Sequence, residues 1–339
     1  MTIIIAEAGV NHNGKIKIAK ELIDNAVAAG ADIIKFQTFK ADRLCSKNLS
    51  LAEYQTSNTD GINSQFEMLS KLELSEDMHS KLFEYCTEKG IEFLSTPFGI
   101  ESIELLSKLA IKRWKVPSGE IDNVQLLKAI ARTNKPIILS TGMANIGDIE
   151  FAIQTINEAS CKESEISLLH CTTEYPAPFS EINLRSIPFM QERFNLPIGY
   201  SDHTQGIEAS IAACALGATI IEKHFTLDKN MEGPDHRASI EPLELKSLVK
   251  SIRNISISLG GYKKEVAEIE QKNILIVKKF IVALKDIEIG EEFTEENIGL
   301  RRTGGGISAR YFYEMIGKHA ERKFKSGELI KSNKYHENK

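Results

Sequence analysis

Residues 113–142, RWKVPSGEIDNVQLLKAIARTNKPIILSTG, hold one repeating unit of the fold. The short apolar run at 113–116 is followed by Pro, Gly and Asp, which favour turns, and then by apolar residues at helical spacing over 125–132. A second break at Thr133, Asn134, Lys135 and Pro136 leads into 137–140, a run that suits a buried strand. The unit reads strand, helix, strand. Outward in both directions the alternation recurs, with strands expected at 3–6, 32–37, 92–95, 113–116, 137–140, 167–170, 198–200 and 219–224. Helical patterns accompany them at 16–29, 78–89, 125–132, 148–158, 207–216 and 243–259. Eight strands joined by crossover helices close into a (β/α)8 TIM barrel, with an open doubly wound sheet as the competing topology.

The chain has 339 residues, whereas a barrel of this kind takes about 250. We assign 1–260 to the barrel, 261–279 to a charged linker and 280–336 to a small β-rich domain, because Gly-broken short runs replace the alternation after GGYKKEVAEIEQKN (260–273). The connection 41–74 is long and polar, and is expected to cover the mouth of a site rather than build scaffold. With 42% hydrophobic and 26% charged residues the chain is neither disordered nor fibrous. The net charge of −5 comes from 42 cations and 47 anions dispersed along the sequence, which offers no basic arm for nucleic acid. No window approaches the roughly 18 uncharged apolar residues of a membrane span. Five scattered cysteines without a CxxC pair suit reduced thiols, and the expected setting is the cytoplasm.

In a barrel, residues at the C-terminal strand ends line the active face. Here those ends carry Glu7, Asn11, His12 and Asn13; Lys35 and Gln37; Ser95 and Thr96; Lys115, Ser118 and Glu120; Ser140 and Thr141; Thr172, Thr173 and Tyr175; Ser201, Asp202 and His203; Glu222 and His224. Eight polar ends converging on one mouth mark a site. Lys35 and Lys115 lie within strands, where a buried ammonium needs an anionic partner. Hydroxyls and glycine turns nearby make a phosphate or phosphate-plus-carboxylate ligand the fitting partner, with pairing to Glu7 or Glu222 as the alternative. His203 and His224 end adjacent strands and are candidate ligands of one divalent metal, with Asp202, Glu222 and Asp235 near enough in sequence to orient them or complete the shell. Two structural histidines are the alternative. His12 is either a turn residue or a site residue.

The blocks AEAGVNHNG, KFQTFKAD, FLSTPF, WKVPSGEI, ILSTGMANIGDIE, LLHCTTEYPAPF, GYSDHTQG, IEKHFTLDKNMEGPDH and RRTGGGIS, in this order, resemble the bacterial sialic acid synthases, N-acetylneuraminate synthase and its close relative N,N'-diacetyllegionaminate synthase. The resemblance spans essentially the whole chain. It implies a (β/α)8 barrel followed by an antifreeze-like (SAF) domain, in a domain-swapped homodimer where that domain of one chain caps the barrel of the other. It also implies a transferase that condenses phosphoenolpyruvate with an N-acetylated mannosamine-type aldose and releases phosphate by C–O cleavage.

Carried over onto matching positions, the phosphoenolpyruvate ligands fall on Lys35, Thr96, Lys115, Ser118, Ser140 and Ser201. Aldose contacts fall on Gln37, Phe98, Tyr175 and Asp235, with Arg302 reaching the N-acyl group from the other protomer. The metal ligands fall on His203 and His224, with Mn2+ the expected ion and Mg2+ its substitute. Glu120, with Glu7 second, matches the carboxylate that deprotonates water. The chain departs from the family pattern at Thr303, where Pro is common, and at Thr173, where some members have Asn. The aldose is 2,4-diacetamido-2,4,6-trideoxymannose or N-acetylmannosamine, and the motifs lean toward the first. Competing readings are another phosphoenolpyruvate-dependent 2-keto-3-deoxy sugar acid synthase, a Schiff-base aldolase using Lys35 or Lys115, and a non-enzymatic ice-binding protein.

Overall fold

The computed structural model describes residues 1–51, 64–161 and 164–331. Its parallel strands are β1 (Ile3–Gly9), β2 (Ile33–Thr38), β3 (Glu92–Pro97), β4 (Trp114–Val116), β5 (Ile137–Ser140), β6 (Ile166–Cys171), β7 (Ile198–Asp202) and β8 (Ile220–His224). They form one sheet in the order β3-β2-β1-β8-β7-β6-β5-β4. The end members β3 and β4 lie side by side. Arg113, just before β4, clasps Glu92 at the start of β3 through hydrogen bonds of 2.7 and 3.2 Å. The sheet is thus a nearly closed barrel, the expected fold.

Side chains alternate along each strand, so every second residue enters the barrel. Ile5, Ile33, Leu94, Ile138, Leu169 and Ile220 form an apolar inner layer. Two residues further along the same strands stand Glu7, Lys35, Thr96, Ser140, Cys171 and Glu222, all buried. The intervening residues, among them Ile4, Ala6, Ile34, Phe36, Leu139 and Leu168, pack outward against the helices. Helix Ile16–Ala29 shows why those helices form: Ala19, Leu22, Ile23 and Ala26 make one buried stripe, and Gly30 at φ 82° ends it in the left-handed conformation that glycine adopts freely. Helices Ile100–Ser107 and Ser186–Phe194 complete the shell beyond those expected. No described helix is long and apolar enough to cross a membrane.

The connection 41–74 differs from expectation. Helix Gln65–Leu72, capped where Ser64 Oγ accepts from Glu67 N at 3.2 Å, buries Met68 and Leu72 with Val10 and Phe39. Its C-terminal part is therefore scaffold, because Phe66, Leu69, Met68 and Leu72 recur at helical spacing among polar neighbours. Its centre, 52–63, lies outside the described residues, as do residues 332–336 of the small domain.

Contacts divide the chain into the units Met1–Gly260 and Gly261–Lys339. The second begins with helix Glu268–Val277, followed by the antiparallel pair β9 (Phe280–Ala283) and β10 (Ile298–Arg301). Ile281, Ile287, Phe293, Ile298, Ile307 and Phe324 form its own small core.

One polar pair lies between barrel and helices. Lys223 Nζ stands 3.0 Å from Asp202 Oδ2 and donates to Thr204 O, and both side chains are 0% exposed. Asp202 also accepts from Thr204 N (2.9 Å), Thr204 Oγ1 (2.8 Å) and Ser210 Oγ (2.6 Å). Removing one partner of a buried pair strands the other charge, so Lys223→Met is expected to destabilise the protein by about 3–5 kcal/mol in urea unfolding. A loss below about 1 kcal/mol, the scale of an exposed ion pair, would show that the pair is solvated.

Candidate active site

The polar layer inside the barrel is a charge cluster. Lys35 Nζ lies 2.8 Å from Glu7 Oε2 and 3.7 Å from Glu222 Oε2, and donates to Thr96 Oγ1 at 3.1 Å. Lys115 Nζ lies 3.8 Å from Glu222 Oε1 and donates to Ser140 Oγ at 2.6 Å. Ser201 Oγ donates to Glu222 Oε1 at 3.0 Å, and Gln37 Nε2 to Glu7 Oε1 at 3.2 Å. Both lysines thus have carboxylate partners within the protein, the alternative left open by the sequence, so their burial alone does not require a bound anion.

The neutralisation is uneven. Burial would lower the pKa of Lys35, but Glu222 and Glu7 outweigh it and hold the value above the ordinary lysine range. Burial lowers Lys115, and the attraction of Glu222 does not restore it. Burial would raise Glu222, but Lys115 and Lys35 hold it down, whereas burial wins at Glu7 and raises it. Lys115 is the cation with more to gain from an added anion.

Donors gather on the same side. Ser118 Oγ accepts from Gly142 N at 3.0 Å and lies 3.2 Å from Cys171 Sγ. A Cβ at Gly142 would overlap Thr173 Oγ1, Ser118 Oγ and Cys171 Sγ, so only glycine lets these groups close together. Cys171 is a site neighbour that sequence reasoning missed; its inward position follows from the strand alternation through Leu169.

The two histidines come together. The His203 and His224 ring centroids are 5.5 Å apart, and Tyr175 stacks on His203 at 4.1 Å and stands edge-on to His224 at 5.4 Å. His203 Nδ1 donates to Thr172 O at 2.7 Å, which fixes the proton there and makes Nε2, 3.4 Å from Ser201 Oγ, the nitrogen with the lone pair. His224 Nδ1 is buried without a hydrogen-bond partner. Burial holds His203 at about 4 and His224 well below the ordinary histidine value, so both imidazoles are neutral. The pair fits a divalent cation, although among the described residues no group of three or more His, Cys, Asp or Glu forms a ready-made shell. Asp202 is not part of it: it faces outward to Lys223 because the strand alternation sends it there.

Asp235 Oδ2 lies 3.8 Å from His224 Nδ1, and burial, then Glu7, raises its pKa to about 7. Gly9, at φ 47°, marks where it meets the layer: a Cβ there would stand 3.3 Å from Glu7 Oε1, 3.4 Å from Gln37 Nε2 and 3.7 Å from Asp235 Oδ2. Phe98 packs edge-on against Phe39 at 6.2 Å. Glu120, half-buried in the 3-10 turn Ser118–Glu120, is held by Asn123 Nδ2 and forms no ion pair among the described residues. His12 lies in the turn after β1, buried, with Nδ1 accepting from Gly14 N at 3.0 Å and Nε2 without a hydrogen-bond partner. Arg302, just after β10 in the second unit, is exposed, and Thr303 Oγ1 beside it donates to Gly305 O at 2.9 Å, tightening the turn by a side-chain bond where Pro is common.

Residues 22–264 match the NeuB family model and residues 278–335 the SAF domain model. The chain is 52% identical to N,N'-diacetyllegionaminic acid synthase of Campylobacter jejuni, over 97% of this chain and 99% of that one. It is 43% identical to N,N'-diacetyllegionaminic acid synthase of Legionella pneumophila, over 96% and 92%. Among solved structures, the N-acetylneuraminic acid (sialic acid) synthetase of Leptospira borgpetersenii superposes with a TM-score of 0.72 at 34% identity, over 80% of this chain and 90% of that one. With a family model matched across most of the barrel and relatives alike over nearly their full length, the chain belongs to the NeuB family of sialic acid synthases and carries a SAF domain.

Proposed function

We propose that the chain is a nonulosonic acid synthase that condenses phosphoenolpyruvate with 2,4-diacetamido-2,4,6-trideoxymannose, giving N,N'-diacetyllegionaminate and phosphate. The observation that carries the reaction is one buried mouth holding two lysines, a ring of hydroxyls and a pair of neutral histidines. The identities of 52% and 43% with two N,N'-diacetyllegionaminic acid synthases, against 34% with the N-acetylneuraminic acid synthetase, support the choice of aldose over N-acetylmannosamine.

In this reading Lys35 and Lys115, with Thr96, Ser118, Ser140 and Ser201, bind phosphoenolpyruvate. Gln37, Phe98, Tyr175 and Asp235 hold the open-chain aldose so that its aldehyde carbon faces the enol carbon, and the carbon–carbon bond forms between them. Such positioning supplies much of the rate. A divalent ion on His203 and His224, Mn2+ in our assignment, supplies Lewis-acid polarisation of the aldehyde oxygen when bound. Glu120 takes the proton of the water that adds to the former enol carbon, with Glu7 second in that role. The proton held by Glu120 passes to the former aldehyde oxygen, and the tetrahedral intermediate collapses to the keto group as its hydroxyl gives its proton to the departing phosphate, which leaves with the C–O bonding pair while Lys115 stabilises its charge. Arg302 contacts the N-acyl group across a domain-swapped homodimer, and the enzyme works in the cytoplasm.

Phosphate release measured with each aldose is expected to give kcat/KM at least about 10-fold higher with the diacetamido sugar. Equal values would overturn the choice of aldose. Glu120→Gln is expected to lose turnover by about 10²–10⁴-fold while calorimetry shows phosphoenolpyruvate binding unchanged; near-normal turnover would remove Glu120 from the role. Exhaustive chelation is expected to abolish activity and Mn2+ to restore it, and full activity after chelation would refute the metal assignment.

A further inference from the structure

Asp235 is carried on the segment 226–239, which leaves β8 and returns beside it. The segment is closed at its base by Phe225 pairing with Ile240, with Thr226 N donating to Ile240 O and Ile240 N to His224 O, both at 2.9 Å. Inside that closure the only regular structure is the 3-10 turn His236–Ala238. Backbone bonds alone therefore leave the direction of Asp235 underdetermined. Side chains from the turn after β1 settle it.

Asn13 Nδ2 donates to Glu232 O at 3.0 Å, and His236 Nε2 stands 3.2 Å from Asn13 Oδ1. His236 Nδ1 lies 2.7 Å from Thr226 Oγ1. Because the amide nitrogen of Asn13 is committed to a carbonyl, its oxygen must accept, so His236 carries its proton on Nε2 and accepts through Nδ1 from Thr226 Oγ1, whose 2.7 Å contact here is shorter than its 3.2 Å contact to Asp228 O. Each atom of the pair thereby has one role. The fit is close: a Cβ at Gly233, φ 149°, would come within 2.9 Å of Asn13 Oδ1 and 2.7 Å of His236 Cδ2. Asn11 adds a second tie, donating to Phe225 O at 2.9 Å and Ser239 Oγ at 2.8 Å, while Ser239 Oγ donates to Asp235 O at 2.7 Å.

We propose that Asn13 and His236 are positioning residues that clamp the 226–239 segment and so aim Asp235 at the aldose. The inference rests on the reading of Asp235 as an aldose contact. The clamp flanks Asp235 on its own segment and makes no hydrogen bond to the lysine layer or the histidine pair, so its loss falls on the sugar and leaves phosphoenolpyruvate alone. A displacement of about 1 Å is enough to lose about 100-fold in rate when a contact must be aligned.

Steady-state kinetics with both substrates varied tests this. His236→Leu removes both bonds, and Asn13→Gly removes only the side chain, because glycine accepts the φ of 50° at that position. Each is expected to raise the aldose KM by about 10-fold while the phosphoenolpyruvate KM stays within about twofold, and the double variant is expected to be no worse than the poorer single one, as for residues acting as a unit. His236→Gln, which keeps a donor where Nε2 stands, is expected to recover most of the aldose affinity. Equal rises in both KM values, or fully additive losses, would overturn the clamp. Asp235→Asn separates the two levels: an unchanged aldose KM in that variant refutes the role of Asp235, whereas a raised one beside unaffected clamp variants refutes the clamp alone.

Discussion

Four opposite charges share one layer inside the barrel, and the site is built on how they neutralise one another. Glu7 and Glu222 project from the adjacent strands β1 and β8, Lys35 from β2 and Lys115 from β4, directly above a layer of isoleucine and leucine. Taking each ion out of water costs several kcal/mol, which only close geometry recovers. The layer sums to zero, and Thr96, Ser140, Ser201 and Gln37 hydrogen-bond its members. It can be neutral as a whole and still be polarised, since Lys35 has two carboxylates and Lys115 only the more distant Glu222.

That polarisation sorts the mouth into two regions. On the β4–β6 side Lys115 stands with Ser140, and beyond it the hydroxyls of Ser118 and Thr173 crowd around Gly142, a set of hydroxyls beside one cation. On the β1–β8 side Glu7, Asp235 and Gln37 converge on Gly9 beside His224, a set rich in acceptors. A phosphorylated carboxylate suits the first region and a neutral polyhydroxylated sugar the second. The bland net charge of −5 therefore says nothing about the substrates, because the fields that matter are local and buried.

The alternation of strands and helices was legible because parallel barrel strands are short apolar runs bounded by turn residues. Their ends were read short for a physical reason. β1 continues through Glu7 to Gly9, β3 through Thr96 to Pro97 and β7 through Ser201 to Asp202, so a hydrophobic run stops where the site begins although the backbone does not. The site residues were legible as a class for the same reason. Their partners were not: whether Lys35 meets Glu7, a ligand or both depends on distances across the barrel that no local pattern encodes. Helix Gln65–Leu72 was missed because its apolar residues Phe66, Met68, Leu69 and Leu72 span only about two turns at the end of a long polar connection.

Two triplets show how one register serves both stability and chemistry. Ser201-Asp202-His203 leaves β7 beside Glu222-Lys223-His224 on β8, and the ladder pairs Ser201 with Glu222 and Asp202 with Lys223. With a period of two, the outer members of each triplet enter the barrel and the middle ones face the helices. The middle pair is the fully buried Asp202–Lys223 contact, which Thr204 and Ser210 saturate with hydrogen bonds. A slip of either strand by one residue would leave both charges without partners and turn that strand's histidine out of the mouth. The outward ion pair thus fixes the alignment that places Ser201 on Glu222 and brings the two imidazoles to 5.5 Å, so a contact remote from any substrate sets the geometry of the inward one.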